Sequence, residues 1–151
     1  MQTVVVTKTI NAPIEDVFEA YTDHERLADL PMVISAKVVT PGKTEKNGLG
    51  AVRVVNGGAI VLREEITGWE RPKLMEYKIV ESRPASTHEL GRVEFTEVPG
   101  GTHITWTTRF GIKNPTLARV EPAFALLFRS IFVLTLHQVG KRAVAAAKAS
   151  A

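Results

Sequence analysis

Residues 33 to 112 alternate polar and apolar side chains with a period of two, and this stretch constrains the fold more than any other feature. Such alternation is typical of strands that bury one face. Glycine and proline interrupt the alternation at six places, which are typical of turns between antiparallel strands. These places are Pro41-Gly42, Asn47-Gly48, Asn56-Gly57-Gly58, Arg71-Pro72, Pro84 and Pro99-Gly100-Gly101. Six strands fit between them.

The segments on either side of this stretch add one strand and three helices. Residues 3 to 10 alternate like a further strand, and Pro13 then stands where a first helical position is expected. A second short helix is predicted from Asp23 to Leu30. After Asn114-Pro115 the apolar period becomes helical and stays so to about Lys148. The predicted order is one strand, two short helices, six strands and one long helix.

This order predicts an α+β fold with a seven-stranded antiparallel sheet. A single sheet of that size needs a cover for its apolar face, and the C-terminal helix is the only element large enough. The sheet is therefore expected to curve around the helix. At 151 residues the chain has the size of one domain, and we assign residues 1–151 to it.

The charged residues are spread along the chain. The formal net charge is +3, with acidic residues between many of the basic ones. A nucleic-acid site would need clustered lysines and arginines, so we expect no nucleic-acid partner. The most apolar stretch, Pro122 to Val139, carries Arg129 near its middle, and a buried helix explains it better than a membrane span. We expect no stable membrane insertion.

Several classes of site lack support in the sequence. The chain has no cysteine, which excludes disulfides and thiolate chemistry and fits a reducing cytoplasm. The first ten residues alternate and do not resemble a signal peptide. No nucleophile elbow, phosphate-binding loop or dinucleotide fingerprint occurs, and the histidines lack metal-ligand spacing, so we expect neither cofactor nor metal.

We expect His24 on a surface helix, His103 on an outward strand face and His137 in the core; the fourth histidine is His88.

Hairpin turns predict which side chains point inward. Facing residues on paired antiparallel strands share one side of the sheet, so each turn carries the inward assignment to the next strand. Two-residue turns at Gly57-Gly58 and Gly100-Gly101 and a four-residue turn from Glu70 to Lys73 give one consistent inner face. Its polar members are Arg53, Glu64, Tyr77 and Thr108, with Glu89 as a further candidate.

The same turns predict the pairing of individual residues. Arg53 is expected opposite Leu62, which places it diagonal to Glu64. Phe95 is expected opposite Trp106, and Val93 opposite Thr108. The turn at Glu70 to Lys73 sets Ile66 opposite Tyr77 and Glu64 opposite Ile79.

The long helix supplies the second wall of the predicted interior. Its apolar residues form one stripe with Phe124, Leu127, Phe128, Ile131 and Leu134, and another with Phe132, Leu136 and Val139. The second stripe requires cover by the protein's own core, by a ligand or by a second copy in a homodimer. The expected ligand-binding residues are Arg53, Leu62, Glu64, Ile66, Met75, Tyr77, Ile79, Val93, Phe95, Trp106, Thr108, Phe110, Phe124, Leu127, Phe128 and Ile131.

Two interpretations of the inward charges stay open. Arg53 and Glu64 either pair with each other or face a hydrated, ligand-sized space, because an unpaired buried charge costs several kcal/mol. Alternatively, their stems lie along the core while their heads reach water at the rim of the sheet. Tyr77 and Trp106 fit core aromatics with one satisfied polar atom as well as ligand contacts.

Two segments resemble a known family. The run from Ile10 to Phe18, Ile-Asn-Ala-Pro-Ile-Glu-Asp-Val-Phe, followed by Asp23 and Pro31, resembles the opening of the START-like superfamily (SRPBCC, or Bet v 1-like) in its polyketide cyclase/dehydrase-like branch. Residues 100–107, Gly-Gly-Thr-His-Ile-Thr-Trp-Thr, resemble that branch's penultimate hairpin. The resemblance implies a helix-grip fold with an internal cavity for lipids, sterols or polyketides. Many members carry tryptophan where this chain has Leu30.

Three functions follow as hypotheses. The first is a protein that binds an apolar or amphipathic small molecule, oriented by Arg53, Glu64 and Tyr77. The second is a polyketide cyclase or dehydratase, in which Glu64 acts as general base and Arg53 or Tyr77 holds a carbonyl or enolate oxygen. The third is a regulatory module that binds a partner through its last helix and takes no ligand.

Overall fold

The computed structural model describes every residue from Met1 to Ala151. The strands are β1 (Gln2–Ile10), β2 (Ser35–Thr40), β3 (Val52–Asn56), β4 (Val61–Glu70), β5 (Leu74–Arg83), β6 (Ser86–Val98) and β7 (Gly101–Ile112). The helices are α1 (Ile14–Thr22), a 3₁₀ helix (His24–Asp29), α2 (Pro115–Ala118) and α3 (Glu121–Ala149). The predicted α+β order is confirmed. The second short helix is of the 3₁₀ type, and a separate short helix precedes the long one.

All seven strands form one antiparallel sheet in the order β1-β7-β6-β5-β4-β3-β2. Strands adjacent in sequence pair with each other, except that β1 crosses to pair with β7. Helix α3 packs on the inner face of the sheet, where the Trp106 ring stacks on Phe132 at 3.7 Å between centroids. Phe110 meets Phe128 edge to face at 5.3 Å. The sheet therefore curves around the C-terminal helix, as expected.

Two hairpins have registers shifted by two residues from the predicted ones. The β3–β4 connection is a four-residue turn closed by the Gly57 amide on the Ile60 carbonyl, so Arg53 lies directly opposite Glu64 and not opposite Leu62. The β6–β7 turn is formed by Pro99-Gly100, where Gly100 adopts a φ of 82° that favours glycine. A shift of two residues keeps every side chain on its predicted face.

The shift in the β6–β7 hairpin changes the predicted partners. Phe95 lies opposite Ile104, Val93 opposite Trp106, and Gly91 opposite Thr108. The β4–β5 hairpin has its predicted pairing, although its turn differs from the predicted turn. Its turn is one residue shorter than predicted, and an irregularity between Ile66 and Gly68 restores Ile66 opposite Tyr77.

An irregularity in β6 corrects the assignment of Glu89. The register between β6 and β7 shifts between His88 and Leu90. Because of this bulge, His88 takes the inward side that alternation predicts for Glu89, and Glu89 takes the outward side. His88 points inward and is buried, whereas Glu89 is exposed and pairs with Arg109 at 2.6 Å. A strict period of two could not reveal this, because a bulge resets the alternation.

Helix α1 fills one end of the concave face. Its buried stripe comprises Ile14, Val17, Phe18 and Tyr21, as the spacing of these residues predicted. The Phe18 ring lies 5.0 Å from that of Trp69 and 5.1 Å from that of Phe95. Burying a side chain of this size contributes about 1.5–3 kcal/mol. This end of the molecule is therefore a packed core.

Helix α3 is buried on one side only. The stripe of Phe132, Leu136 and Val139 is buried by the protein's own core, and not by a ligand or a second copy of the protein. Leu134, expected on the inward stripe, is 44% exposed instead. Helix α3 also has the length and composition of a helix that could cross a membrane.

Candidate functional site

A cavity of about 350 Å³ occupies the end of the concave face that α1 leaves free. Strands β3 to β7 form its floor, and the first half of α3 forms one wall. The segment from Leu27 to Val33 and the β3–β4 turn complete it. Most lining residues are hydrophobic, and the partly exposed Met32, Ala59 and Leu127 mark its mouth.

Most of the residues expected to bind a ligand line this cavity. They are Arg53, Leu62, Glu64, Tyr77, Ile79, Trp106, Thr108, Phe110, Phe124, Leu127, Phe128 and Ile131. Ile66, Met75, Val93 and Phe95 do not line it and lie in the closed core, where the Phe95 ring packs against Phe18 of α1. Strand parity predicts the side on which a residue lies, but it carries no information on how far along the strand the cavity extends.

Several lining residues were not predicted as binding residues. Leu27, Leu30, Met32 and Val33 come from the 3₁₀ helix and the segment after it, which have no simple periodicity. Ser82, Pro84 and Ser86 come from the end of β5, the β5–β6 turn and the start of β6. Phe132 and Thr135 lie four residues after Phe128 and Ile131 on α3, and helical spacing could have identified them.

Leu30 lines the cavity at the position where many START-like proteins carry tryptophan. It is 3% exposed and lies at the end of the 3₁₀ helix.

A buried ion pair forms the polar floor of the cavity. Arg53 and Glu64 face each other on β3 and β4, and Arg53 Nε donates to Glu64 Oε1 at 2.9 Å. Their side chains are 5% and 6% exposed, so their heads do not reach water at the rim. The Arg53 guanidinium also lies over the Tyr77 ring at 5.2 Å, which adds a cation–π contact. Both charged residues pair with each other and line the cavity.

His24 holds the outer side of this pair, contrary to the expected surface position. It is 1% exposed, its Nδ1 accepts from Arg53 Nη1 at 2.9 Å, and its Nε2 donates to the Asn47 carbonyl at 2.9 Å. Burial and the neighbouring Arg53 lower the pKa of His24 to about 3. The imidazole is therefore neutral, which is what an acceptor for a guanidinium requires.

Burial and neighbouring charges act in opposite directions on Arg53. Burial by itself lowers the pKa of Arg53, but the charge of Glu64 and the neighbouring tyrosines outweigh it and keep the pKa raised. The guanidinium is therefore charged. Glu64 Oε2 accepts no hydrogen bond from the protein, which leaves one carboxylate oxygen for a molecule in the cavity.

A second polar group lies beside the ion pair and contains His88. The Ile79 amide donates to His88 Nδ1 at 3.1 Å, and His88 Nε2 lies 2.9 Å from Thr108 Oγ1. Because the Thr108 hydroxyl donates to the Leu90 carbonyl, it accepts from His88 Nε2. Burial lowers the pKa of His88. The His88 ring stacks on Tyr77 at 5.5 Å and fixes its orientation.

Tyr77 offers a hydrogen to the cavity. Trp106 Nε1 donates to Tyr77 Oη at 2.9 Å, which leaves the phenolic proton for another acceptor. Burial and the charge of Glu64 raise the pKa of Tyr77 to about 12, so the phenol stays protonated. The cavity floor thus presents an unused acceptor at Glu64 and the phenolic hydroxyl of Tyr77, which Trp106 and Thr108 hold in place.

The remaining histidines differ from their expected places in one case. His103 lies on the outward face of β7 and contacts Thr9 Oγ1 at 2.9 Å, as expected for its parity. His137 is exposed on α3 and not in the core. No group of three metal-ligating side chains occurs in the structure.

Comparison with known proteins gives matches over nearly the whole chain. The family model described as polyketide cyclase/dehydrase and lipid transport matches residues 1–144. Comparison with curated proteins gives no match.

Solved structures with this fold come from distant relatives. The protein TTHA0849 of Thermus thermophilus is 20% identical with a TM-score of 0.77, covering 96% of this chain and 99% of that one. The Zhui aromatase/cyclase of Streptomyces sp. R1128 is 19% identical, with a TM-score of 0.72 and coverages of 94% and 93%. A START superfamily protein of Mycobacterium smegmatis is 11% identical, with a TM-score of 0.66 and coverages of 99% and 99%.

At these identities the structures establish the fold alone, whereas the family model matches the sequence itself. The seven-stranded sheet around α3 is the helix-grip fold of START-like proteins. The chain belongs to the polyketide cyclase/dehydrase and lipid transport family.

Proposed function

We propose that this protein binds an amphipathic small molecule in the cavity between the sheet and α3. The observation that carries the proposal is an apolar chamber whose floor holds one unused carboxylate oxygen, on Glu64, beside the phenolic hydroxyl of Tyr77. The apolar walls accept the body of the ligand, and the two polar atoms orient its end.

The polar floor defines the chemistry of the ligand's inner end. Glu64 Oε2 accepts a hydrogen bond, so the ligand carries a hydroxyl there. Tyr77 donates, so a carbonyl or ether oxygen lies beside that hydroxyl. A volume of about 350 Å³ is near the lower end of the roughly 300–1,000 Å³ of small-molecule sites. A hydroxylated polyketide-like or lipid-like molecule fits both requirements.

Other features support the same interpretation. The family description includes polyketide cyclases and lipid transport, both of which handle apolar molecules. A chain without cysteine fits the cytoplasm, where such a molecule needs a carrier or an enzyme. Residues 1–151 act as one binding domain in this proposal.

Binding is tested by incubating the purified protein with a mixed library of fatty acids, sterols and aromatic polyketides, followed by native mass spectrometry. We expect retention of members that carry a hydroxyl next to a carbonyl or ether oxygen. Leu62→Trp fills the chamber from β4 and should abolish retention. Val54→Trp places the same side chain on the opposite face of neighbouring β3 and serves as the control. Equal retention by both variants, or none by the unaltered protein, contradicts the proposal.

A second candidate function is cyclisation or dehydration of a polyketide-like chain. The observation that favours it is the same free Glu64 Oε2. This oxygen would remove a proton from a carbon next to a carbonyl, and Tyr77 would hold the developing enolate oxygen. Since the proton passes to Glu64 and returns to the leaving hydroxyl, no further reactant is needed for dehydration.

Variants at the two polar atoms separate the enzyme from the carrier. Tyr77→Phe keeps the ring over which Arg53 lies and removes only the hydroxyl. For an enzyme, Tyr77→Phe and Glu64→Gln should lose turnover of a polyketide-like substrate and keep the part of the binding that the apolar walls supply. Because Glu64→Gln also leaves Arg53 without its ionic partner, urea denaturation must show that this variant stays folded in the assay. Glu65→Gln, at the neighbouring outward position, is the matched control. Unchanged turnover in Glu64→Gln removes Glu64 from the mechanism. If no ligand binds, the partner-binding module is the surviving hypothesis.

A further inference from the structure

The outward face of α3 carries an apolar stripe formed by Leu126, Leu127, Val133 and Leu134. These side chains are 68%, 45%, 51% and 44% exposed. Leu126 and Val133, like Leu127 and Leu134, lie seven residues apart and therefore on one face of the helix, with the exposed Ser130 between the two pairs. Exposed apolar side chains gathered on one face mark a site of contact with another molecule or with a membrane. Leu127 also lines the cavity, which places the stripe next to its mouth.

The same face of α3 becomes basic toward its C-terminus. His137, Lys141 and Lys148 follow the stripe at helical spacing, and we call them the basic end. Together with Lys8 of β1 they border an open groove whose lining contains no aspartate or glutamate. None of the three lysines takes part in an ion pair within the protein. Lys8 lies against α3 at Gly140, where a Cβ would be in ordinary contact with Lys8 Cε at 3.4 Å.

Charge is distributed unevenly between the two parts of the chain. Residues 113–151 contain six lysines and arginines and one acidic residue, Glu121, for a net charge of +5. Residues 1–112 contain thirteen basic and fifteen acidic residues, for a net charge of −2. Glu121 is buried and bound to the N-terminal ammonium group, so it does not neutralise the outward face. The apolar stripe therefore lies in the most cationic part of the protein.

We propose that the outward face of α3 docks on an anionic lipid bilayer. The apolar stripe enters the interface between headgroups and acyl chains, and the basic end binds lipid phosphates. A second copy of this chain fits less well. It would present the same cations and no free carboxylate, so a symmetric pair would leave the lysines unmatched. The proposal does not depend on ligand binding, because only Leu127 is shared with the cavity mouth and the other residues of this surface lie outside the cavity.

Vesicle sedimentation of the full chain tests this docking. The protein should co-sediment with vesicles of phosphatidylcholine and phosphatidylglycerol, and it should stay in the supernatant with vesicles of phosphatidylcholine alone. The double variant Lys141→Gln/Lys148→Gln should lower partitioning roughly thirtyfold, because each lysine near an anionic surface contributes about 1 kcal/mol. Leu126→Ser/Val133→Ser should also lower it. High salt should weaken the binding of the unaltered protein.

Matched variants elsewhere on the surface control for general effects. Lys73→Gln in the β4–β5 turn removes an exposed lysine, and Val80→Ser removes an apolar side chain that is 50% exposed on β5. Both should sediment like the unaltered protein, and circular dichroism should show that all variants are folded. The proposal is overturned if the protein sediments equally with neutral and anionic vesicles. It is also overturned if the control variants lower sedimentation as much as the variants on α3 do. A dimer in analytical ultracentrifugation that Leu126→Ser/Val133→Ser dissociates would overturn it too, since the stripe would then bind a second copy.

Discussion

Arg53 and Glu64 form a buried pair because their strands place them directly opposite each other. Neither could be buried alone, since an ion taken out of water without a partner costs several kcal/mol. His24 and Tyr77 complete the surroundings of the guanidinium with an acceptor and an aromatic face. The pair therefore acts as one unit, and its members should be altered together.

Single and double substitutions should show this coupling. Arg53→Met or Glu64→Leu alone should lower the free energy of unfolding by about 3–5 kcal/mol, because the remaining charge is buried and unpaired. The double variant should be more stable than either single variant. Urea denaturation of all three measures the coupling, with Arg63→Met on the outward face of β4 as the control. Additive losses would show that the two charges do not depend on each other.

Gly91 allows the Tyr77 ring to lie against β6. A Cβ at this position would stand 2.7 Å from Tyr77 ring atoms and from the Tyr77 carbonyl oxygen. Gly91→Ala should therefore cost about 1–3 kcal/mol, as overpacking does in a closed core, and shift the fluorescence of Trp106, whose indole donates to Tyr77. Gly111→Ala, where the nearest atom would be 3.5 Å away, should leave both readouts unchanged. A stable Gly91→Ala protein with unaltered fluorescence contradicts this role.

At the scale of the element, turns and bulges decide what each strand presents. The β3–β4 turn holds four residues, and this brings Arg53 opposite Glu64. The irregularity after His88 turns that side chain inward. Its Nδ1 accepts a hydrogen bond from the Ile79 amide, in a region in which β5 and β6 are not paired. A side chain there replaces the missing backbone partner. The site thus depends on local departures from regular strands.

Helix α3 contains a glycine in its interior at Gly140. Glycine destabilises a helix interior by roughly 0.5–1 kcal/mol relative to alanine, and a Cβ here would meet only ordinary contacts with Lys8 at 3.4 Å and Ile10 at 3.5 Å. Gly140→Ala should therefore raise the free energy of unfolding by about that amount. Urea denaturation measures the change, and Ala146→Gly on the exposed side should lower stability by a similar amount. A loss of stability in Gly140→Ala would mean that the contact of β1 with the helix is too close for a methyl group.

At the scale of the whole molecule, the concave face is divided into two ends. Helix α1 and its aromatic neighbours fill one end, and the cavity occupies the other. His24, in the 3₁₀ helix after α1, ties these ends together through Arg53. The stability of the fold should therefore depend on the protonation of His24.

Stability should fall as the pH drops below about 6.5. Unfolded His24 has an ordinary pKa near 6.5, whereas in the folded protein its pKa is lowered to about 3. Between these values the unfolded chain binds more protons, so the stability present at neutral pH is lost with acidification. From pH 7 to pH 5 the loss is about 2 kcal/mol from His24, and His88 adds to it in the same direction.

Urea denaturation at pH 7 and at pH 5 measures this loss. His24→Gln keeps a hydrogen-bonding side chain and should reduce the difference between the two pH values. His137→Gln, at an exposed position, should leave the difference unchanged. An equal pH dependence in all three proteins contradicts the assignment to His24.

The order of elements, the antiparallel sheet and the inward side of most strands could be predicted from the sequence. Alternation and turn residues are local properties, and an error of two residues in a hairpin leaves every side chain on the same face. For this reason the sequence predicts the inward position of Arg53, Glu64, Tyr77 and Thr108 correctly, although two of the predicted hairpin registers are wrong. The residues of the START-like motif likewise identified the fold.

Tertiary structure alone decided where along the strands the cavity lies and which charges meet. Phe95 shares the inner face with Glu64 and Tyr77, yet its ring is buried against Phe18 of α1, which is far from it in the sequence. His24 and His88 belong to the site because a 3₁₀ helix and a bulge place them there. Neither element has a simple period that a sequence pattern could reveal. Periodicity assigns a side chain to a face, whereas packing between distant segments decides whether that face is filled, open or exposed to solvent.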